Sequence, residues 1–269
     1  MMAGGIPPVQ LLLDLYPNAT RAYSLRKIRN LYSGSAIRVR RASDNAEQDI
    51  GFDANNELDT IALTTFCSGT NGFITTWYDQ SLGGFDATNS TAISQPQIVN
   101  SGTILTTNGK PCISFDGTND FLGFTNANFA ASNYNSFVGK RASSGRRMFA
   151  LGGNQYIFGF LTDDKIYLQA RTAGYNVSNA TDATTSQILL TGQVSSNVAT
   201  MYKNGTLAAS SFVPFSLNTV IDSIGVYNRG LQFTQYSFCE FQEIVYYNSD
   251  QSGNRTGIET NIKTYYGIP

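Results

Sequence analysis

The sequence predicts an all-β protein, an antiparallel β-sandwich of two sheets. Short segments in which apolar and polar residues alternate recur along the chain, and turns such as Asp116-Gly117 and Asn204-Gly205 separate them. Alternation with a period of two is typical of strands that bury one face, and turns of this kind join antiparallel neighbours. Many short strands at this density favour a sandwich. The predicted strands are 36–40, 73–78, 112–115, 148–151, 156–161, 165–170, 187–194, 199–203, 221–227 and 241–247.

Two amphipathic helices are predicted, one on each side of this strand-rich region. The first follows a cap at Asn18 or Thr20, and its apolar residues recur at three- and four-residue spacing. These residues are Ala22, Leu25, Ile28, Leu31 and Tyr32. The second helix begins near Asp250 or Ser252, carries Ile258, Ile262 and Tyr265 on one face, and stops at Gly267. We expect this C-terminal helix to pack across the sandwich.

The chain is predicted to form one domain with an N-terminal extension. Its 269 residues are 41% hydrophobic, which is enough for one large sandwich core. Residues 18–269 are assigned to the sandwich. Residues 1–17 contain three prolines and a short apolar patch, which favours an extended arm that lies on another protein. A disordered tail is the alternative.

Composition excludes several classes of function. Charged residues make up 14% and the net charge is −1, so the chain offers no basic surface for nucleic acid. There is no histidine, which excludes a Ser-His-Asp triad and a histidine-ligated zinc site. The three cysteines are far apart, without a metal-binding spacing. We therefore predict no cofactor, no metal site and no membrane insertion. The first residues also lack the features of a secretory signal.

Three segments of the C-terminal two thirds resemble laminin-G or concanavalin A-like modules. They are the segments 113–121, 201–207 and 241–248 with the helix that follows. The first leads a strand into an Asp-Gly turn, the second is a hairpin with an Asn-Gly turn, and the third is a core strand before a packing helix. The resemblance implies a concanavalin A-like antiparallel β-sandwich, or jelly roll, with an N-terminal amphipathic helix and a C-terminal packing helix.

The N-terminal third resembles the catalytic domain of the alpha-L-arabinofuranosidase B family. The similar segments are 22–28, 37–44 with 49–51, and 75–81 followed by Asp86-Ala-Thr88. The resemblance covers residues 20 to 90 well and the remainder loosely. It implies an ancestry in the binding of furanosidic sugars and a retaining hydrolysis, which needs two carboxylic groups, one on either side of the glycosidic bond.

Both family carboxylates are expected to be replaced. Gln155 or Asn154 occupies the position where the resemblance places the nucleophilic Glu, and Tyr227 occupies that of the acid/base Asp. An amide cannot attack an anomeric carbon, and a phenol with an ordinary pKa near 10 is a poor acid/base at neutral pH. On this basis the chain is predicted to be no enzyme.

The ancestral pocket is nevertheless predicted to persist as a carbohydrate-binding cleft. Aromatic faces, guanidinium groups and amides are the groups with which proteins bind sugars. The predicted cleft residues are Trp77, Asp79, Arg146, Arg147, Asn154, Gln155 and Tyr227. The alternative interpretations are a core position for Trp77, a turn-fixing role for Asp79 and a solvated hairpin tip for the two arginines.

The chain also resembles virion-associated proteins of bacteriophages. With the low charge, the arm and the replaced carboxylates, this resemblance implies a non-catalytic structural or adhesion protein of a bacteriophage virion, a lectin-like module on a tail or capsid. Predicted partners are other virion proteins, bound through the arm, a cell-surface glycan, and further copies of the chain in a homo-oligomer. The predicted location is the virion, after synthesis in the host cytoplasm. The alternatives are an active retaining glycosidase that uses other carboxylates and a purely architectural decoration protein.

Overall fold

A computed structural model describes residues 9–128, 130, 132–153, 156–170, 175–212, 220–228 and 233–269. These residues form three α-helices, α1 Leu12–Leu15, α2 Thr60–Phe66 and α3 Arg255–Tyr266, and a 3-10 helix at Ala92–Ser94. The strands are β1 Arg21–Ser24, β2 Ile37–Arg41, β3 Glu47–Ile50, β4 Gly72–Trp77, β5 Ala87–Thr88, β6 Gln97–Asn100, β7 Thr103–Ile104, β8 Thr106–Thr107, β9 Lys110–Pro111, β10 Ile113–Asp116, β11 Leu122–Asn128, β12 Asn133–Arg141, β13 Met148–Gly153, β14 Tyr156–Phe160, β15 Ile166–Ala170, β16 Tyr175–Ser178, β17 Ile188–Ser195, β18 Val198–Lys203, β19 Thr206–Phe212, β20 Val220–Ile224, β21 Val226–Asn228, β22 Phe233–Tyr236 and β23 Phe238–Tyr247. The predicted fold class is confirmed, and every predicted strand overlaps an observed one.

The first sheet has the strand order β19-β18-β17-β12-β23, and all of its pairs are antiparallel. Strands β1 and β10 lie end to end along the remaining edge of β23. The predicted turn at Asn204-Gly205 joins β18 to β19, with φ values of 51° and 85°. Two consecutive positive φ values are what a tight type I′ hairpin requires, and Asn followed by Gly supplies them at low cost.

The second sheet has the strand order β3-β2-β4-β5-β11-β20-β13-β14-β15-β16, again antiparallel throughout. Strand β6 pairs with β4 on one side and with β10 on the other, so it links the two sheets. The main core lies between them. Side chains alternate between the two faces of each strand, so those that do not point into this core point outward. The outward face of the second sheet carries the clefts described below.

Helix α3 covers the outer face of the first sheet. Along β23, Ile244 and Tyr246 belong to the main core, whereas Val245 and Tyr247 belong to a second apolar cluster beneath the helix. This cluster includes Ile262, which is 1% exposed, and burying one such side chain contributes roughly 1.5–3 kcal/mol. The helix ends at Gly267, whose φ of 63° is left-handed. The predicted C-terminal packing helix is thus confirmed, and no helix of the described residues is long and apolar enough to cross a membrane.

The predicted N-terminal helix is wrong. Residues Arg21–Ser24 form β1, which pairs with the edge of β23. Neighbouring side chains point to opposite sides, since Ala22 contributes to the cluster beneath α3 and Tyr23 to the main core. The helical spacing of apolar residues therefore came from a strand and the loop after it. Leu31, which a helix would have buried with the others, is 73% exposed.

The described part of the predicted arm folds back on the domain. Helix α1 places Leu12 and Leu13, each 1% exposed, in the cluster beneath α3. The Leu13 amide donates to the Ile28 carbonyl at 2.8 Å, which fixes this segment to the chain that follows it. The two leucines are therefore not free for an external partner, contrary to the expectation from the sequence. Residues 1–8 lie outside the described residues, and the boundary at residue 17 stays a prediction.

Candidate active site

Trp77 and Asp79, two of the predicted sugar-binding residues, are buried. The Trp77 ring is 0% exposed in the main core and lies 5.8 Å from the ring of Tyr23, so it offers no face to a sugar. Asp79 is 3% exposed and fixes a turn. Its Oδ1 accepts the amides of Ala22 and Ser81, each at 2.9 Å. Its Oδ2 accepts the Ser81 hydroxyl at 2.6 Å and the Phe85 amide at 3.2 Å. The alternative interpretations, a core tryptophan and a turn-fixing aspartate, describe both.

Arg146, Arg147 and Tyr227 lie near the start of β13. The Arg146 guanidinium lies 5.5 Å from the centre of the Phe238 ring. The backbone amide of Phe238 donates a hydrogen bond to the Arg147 carbonyl at 3.0 Å. Tyr227 is 3% exposed and packs against Phe149 in a small apolar cluster on the outer face. Asn154 and Gln155 lie outside the described residues. The predicted pocket is not assembled as proposed, because Trp77 and Tyr227 belong to different clusters.

An open cleft of about 370 Å³ lies over strand β11, on the outward face of the second sheet. We call it the β11 cleft. It is lined by Asp86, Thr88, Gly123, Phe124, Thr125 and Asp222. Strand β11 pairs with β5 through Gly123 and Thr88, and on its other side with β20 through Gly123 and Ser223. The two carboxylates therefore come from chain segments on opposite sides of one strand.

Gly123 forms part of the floor of the β11 cleft. A Cβ added there would lie 3.8 Å from the Thr88 carbonyl oxygen and 3.9 Å from that of Asp222, which are ordinary contact distances. A larger side chain would therefore fit at this position without a clash. Because Gly123 has none, the space above the sheet stays open. It is room that a ligand can fill.

The electrostatics of Asp86 suit a proton donor. Burial raises the pKa of its carboxyl group, and the negative charge of Asp79 raises that pKa further. A hydrogen bond lowers the same pKa, since Asp86 Oδ1 accepts the Asp79 amide at 2.9 Å and this bond favours the charged carboxylate. This hydrogen bond also fixes the direction of the side chain. Asp86 therefore keeps a proton to higher pH than an ordinary aspartate does.

Asp222 lies opposite on β20 and is half-buried. The Ser223 hydroxyl donates to Asp222 Oδ1 at 2.9 Å, and Ser223 is itself 1% exposed. A buried neighbour of this kind holds the carboxylate in one orientation. The β11 cleft thus combines an oriented carboxylate on one side with a carboxyl group of raised pKa on the other.

A second pair of carboxylates lines another cleft, of about 510 Å³, near the end of β10. There burial, with the charge of Asp116 as a smaller cause, raises the pKa of Asp120 to about 7. Both groups, however, close one turn. Asp116 Oδ1 accepts the amides of Thr118 and Asn119, and Asp120 Oδ2 accepts the amide of Asp116 at 3.0 Å. They lie four residues apart, Asp116 at the end of β10 and Asp120 in the turn after it, and do not face each other across a strand.

Sequence reasoning missed the two carboxylates of the β11 cleft. Asp86 stood in a quoted segment, Asp86-Ala-Thr88, but received no role, and Asp222 lay inside the predicted strand 221–227 without comment. A signal was present in both cases, since a carboxylate within or beside a strand needs an outward, partly solvated position. Their meeting across β11 could not be foreseen, because it depends on which strands become neighbours.

The fold is an antiparallel β-sandwich, and part of the sequence and the whole fold can be compared with known proteins. The sequence model of the alpha-L-arabinofuranosidase B catalytic domain family matches residues 16–113. A solved GH54 arabinofuranosidase, soaked with a cyclic sulfate inhibitor, superposes with a TM-score of 0.68 at 16% identity over 93% of this chain. An arabinofuranosidase complexed with arabinofuranosyl-alpha-1,2-xylobiose gives a TM-score of 0.63, also at 16% identity over 93% of this chain.

The similarity to the solved structures establishes the fold. It establishes no more than the fold, because the sequence identity is 16%. The chain covers 64% of the length of each of these two arabinofuranosidase chains. No curated protein matches the sequence.

These comparisons contradict the prediction of a non-catalytic phage protein. The matching family and both similar structures are those of glycoside hydrolases, so they favour an enzyme, the first alternative from the sequence. They give no support to a viral or virion assignment. The inference that both catalytic carboxylates were replaced rested on Gln155 or Asn154 and on Tyr227, and the comparisons give no support to such a replacement. The predicted partners and the virion location stay predictions.

Proposed function

We propose that the chain is a glycoside hydrolase acting on α-L-arabinofuranosides, with Asp86 and Asp222 as its two carboxylic groups. One observation carries the proposal, the presence of two carboxylates from opposite sides of β11 in the same open cleft. Glycoside hydrolysis needs such a pair, one group to protonate the leaving oxygen and one to act at the anomeric carbon or on water. The family match and the shared fold supply the substrate class.

The spacing of the strands is compatible with this chemistry. Strands β5 and β20 both pair with β11, and since neighbouring strands are about 4.8 Å apart, their backbones are about 10 Å apart. Catalytic carboxyl groups in glycosidases are separated by about 5 to 9.5 Å. Both carboxyl groups line one cleft, so their separation is of the same order as that range.

The two groups are assigned different roles. Asp86 is the acid, because burial and the nearby Asp79 charge raise the pKa of its carboxyl group. Asp222 is the nucleophile or base, oriented by the Ser223 hydroxyl. The assignment follows the general rule that the two carboxyls of a glycosidase differ in environment. Activity is expected to fall at high pH as Asp86 loses its proton.

The first experiment compares isosteric variants on 4-nitrophenyl α-L-arabinofuranoside. On this substrate Asp222→Asn should lower kcat by at least about 10²-fold, the usual contribution of a positioned acid or base, and Asp86→Asn should lower it less. The loss in Asp86→Asn should be larger on an unactivated oligosaccharide, since nitrophenolate departs with little protonation. Asp116→Asn and Asp120→Asn are the matched controls, because they change a carboxylate pair in the other cleft.

The outcomes separate the two clefts. Loss of activity confined to the β11 variants, with unchanged thermal unfolding, supports the proposal. Loss confined to the Asp116 and Asp120 variants moves the site to the other cleft. If the purified wild-type chain hydrolyses neither the aryl arabinofuranoside nor the oligosaccharide, the proposed function is wrong.

A further inference from the structure

Strand β19 forms an edge of the first sheet. Within the described part of the chain it pairs with β18 alone, so the backbone groups on its other side have no strand partner there. An edge of this kind can pair with a further strand, and proteins usually prevent this with charged residues or proline on the edge. The seven residues of β19, Thr206–Phe212, include neither a charged residue nor a proline.

Strand β3, an edge of the second sheet, is protected in the usual way. Within the described residues it pairs with β2 alone. Two of its four residues, Glu47 and Asp49, are acidic and exposed. A second copy of β3 placed beside it would bring like charges together, which disfavours pairing. Charge therefore guards β3 against a second copy, whereas β19 carries no such repulsion.

Exposed apolar side chains accompany the β19 edge. Phe212 is 70% exposed, and its cross-strand partner Val198 is 38% exposed. An aromatic and an aliphatic side chain are thus neighbours at this end of the hairpin. Leu207, near the other end of β19, is 59% exposed. Covering these side chains removes apolar surface from water, which favours association.

The second half of β19 can pair with itself. A register shift against β18 leaves Ala208 as a bulge, and the strand is regular from there to its end. A two-fold axis at Ser210 would place Ser210 opposite the same residue of a second copy, Ala209 opposite Ser211, and Phe212 opposite Ala208. These small side chains leave room for a neighbouring strand, and each Phe212 ring would be partly covered.

We infer that β19 is a dimer interface, at which it pairs antiparallel with β19 of a second copy so that the two first sheets become one continuous sheet. Specific stable interfaces use about 20–30 residues a side, more than one edge strand supplies, so the dimer is weak and forms at high concentration. The axis is perpendicular to the sheet, which leaves the outward faces of both second sheets on the same side. The inference does not depend on the proposed function.

The test is sedimentation velocity of the wild-type chain and two variants over a wide range of concentrations. The wild-type chain should change from monomer to dimer as its concentration rises. Ser210→Lys should raise the dimer Kd at least about 10-fold, because two lysines meet at the axis. Gln48→Lys, at an exposed position of the β3 edge, is the matched control and should change the Kd by less than about 2-fold.

A charge exchange distinguishes a lost interface from a damaged fold. Ser210→Glu alone should weaken the dimer as Ser210→Lys does, but a mixture of the two variants should form a heterodimer that is tighter than either homodimer, because opposite charges then meet at the axis. The inference is overturned if the wild-type chain stays monomeric at every concentration. It is also overturned if Ser210→Lys dimerises like the wild-type chain, or if the mixture is no tighter than the separate variants.

Discussion

Three aspartates show how the surroundings of a single residue set its role. Asp79 is almost fully buried and accepts four hydrogen bonds, so it has a structural function. Asp86 shares a hydrogen bond with the same turn but lines an open cleft. Burial, with the charge of Asp116 as a smaller cause, raises the pKa of Asp120 to about 7. Of the three, Asp86 is the one that lines a cleft with another carboxylate on the far side of a strand, and its pKa is raised as well.

Asp120 predicts a specific dependence of stability on pH. Its pKa of about 7 in the folded chain exceeds the value of about 3.9 expected when unfolded. The folded state therefore binds more protons between these values, and stability falls as the pH rises through that window. Asp120→Asn should raise the free energy of unfolding by roughly 1–2 kcal/mol at pH 8 and leave it nearly unchanged at pH 4.

Urea unfolding of Asp120→Asn and the wild-type chain at both pH values checks this expectation. The asparagine carbonyl can still accept the Asp116 amide, so the loop hydrogen bond is retained. The pH 4 measurement serves as the internal control. A stabilisation of equal size at both pH values would show that the charge of Asp120 is not its cause.

Individual strands were predictable where their sequences alternate. Strand β18, with its Asn-Gly turn, was predicted from local chemistry, and helix α3 from its apolar face and terminal glycine. Strand β12 was missed because polar Asn133, Asn135 and Ser136 are buried in it, between two neighbouring strands that satisfy its backbone. Strand β1 was mistaken for a helix because pairing with β23 overrode its local pattern. Strand neighbours, and with them the β11 cleft, depend on long-range pairing that periodicity does not encode.

The junction of β13 and β20 needs a residue without a side chain. A Cβ added to Gly153 would lie 1.9 Å from the Val220 carbonyl oxygen, whereas one added to Gly51 would meet nothing within 4 Å. Gly153→Ala should therefore lower the free energy of unfolding by about 3 kcal/mol or more. Gly51→Ala, the matched control, should change it by less than about 1 kcal/mol. Thermal and urea unfolding measure both, and equal effects would refute the close approach of these strands.

At the scale of the whole molecule, the sandwich brings distant segments of the chain together on one face. Residues 16–113, which the family model matches, provide Asp86 and Thr88 of the β11 cleft. The remaining part of the chain provides Asp222, Gly123 and Thr125. The proposed site is thus shared between the part of the sequence that the family model matches and the part beyond it. A resemblance confined to the first part could indicate the substrate class but not the complete pair of carboxylates.

The location of the site is tested most directly by a crystal structure of Asp222→Asn soaked with 4-nitrophenyl α-L-arabinofuranoside. The asparagine side chain in this variant should slow turnover without changing the shape of the cleft, so the glycoside should remain bound and uncleaved. The account predicts density for the furanose ring over Gly123, with its glycosidic oxygen within hydrogen-bond distance of Asp86 and its anomeric carbon facing residue 222. Density in the cleft of Asp116 and Asp120, or around Arg146 and Tyr227, with the β11 cleft empty, would contradict it.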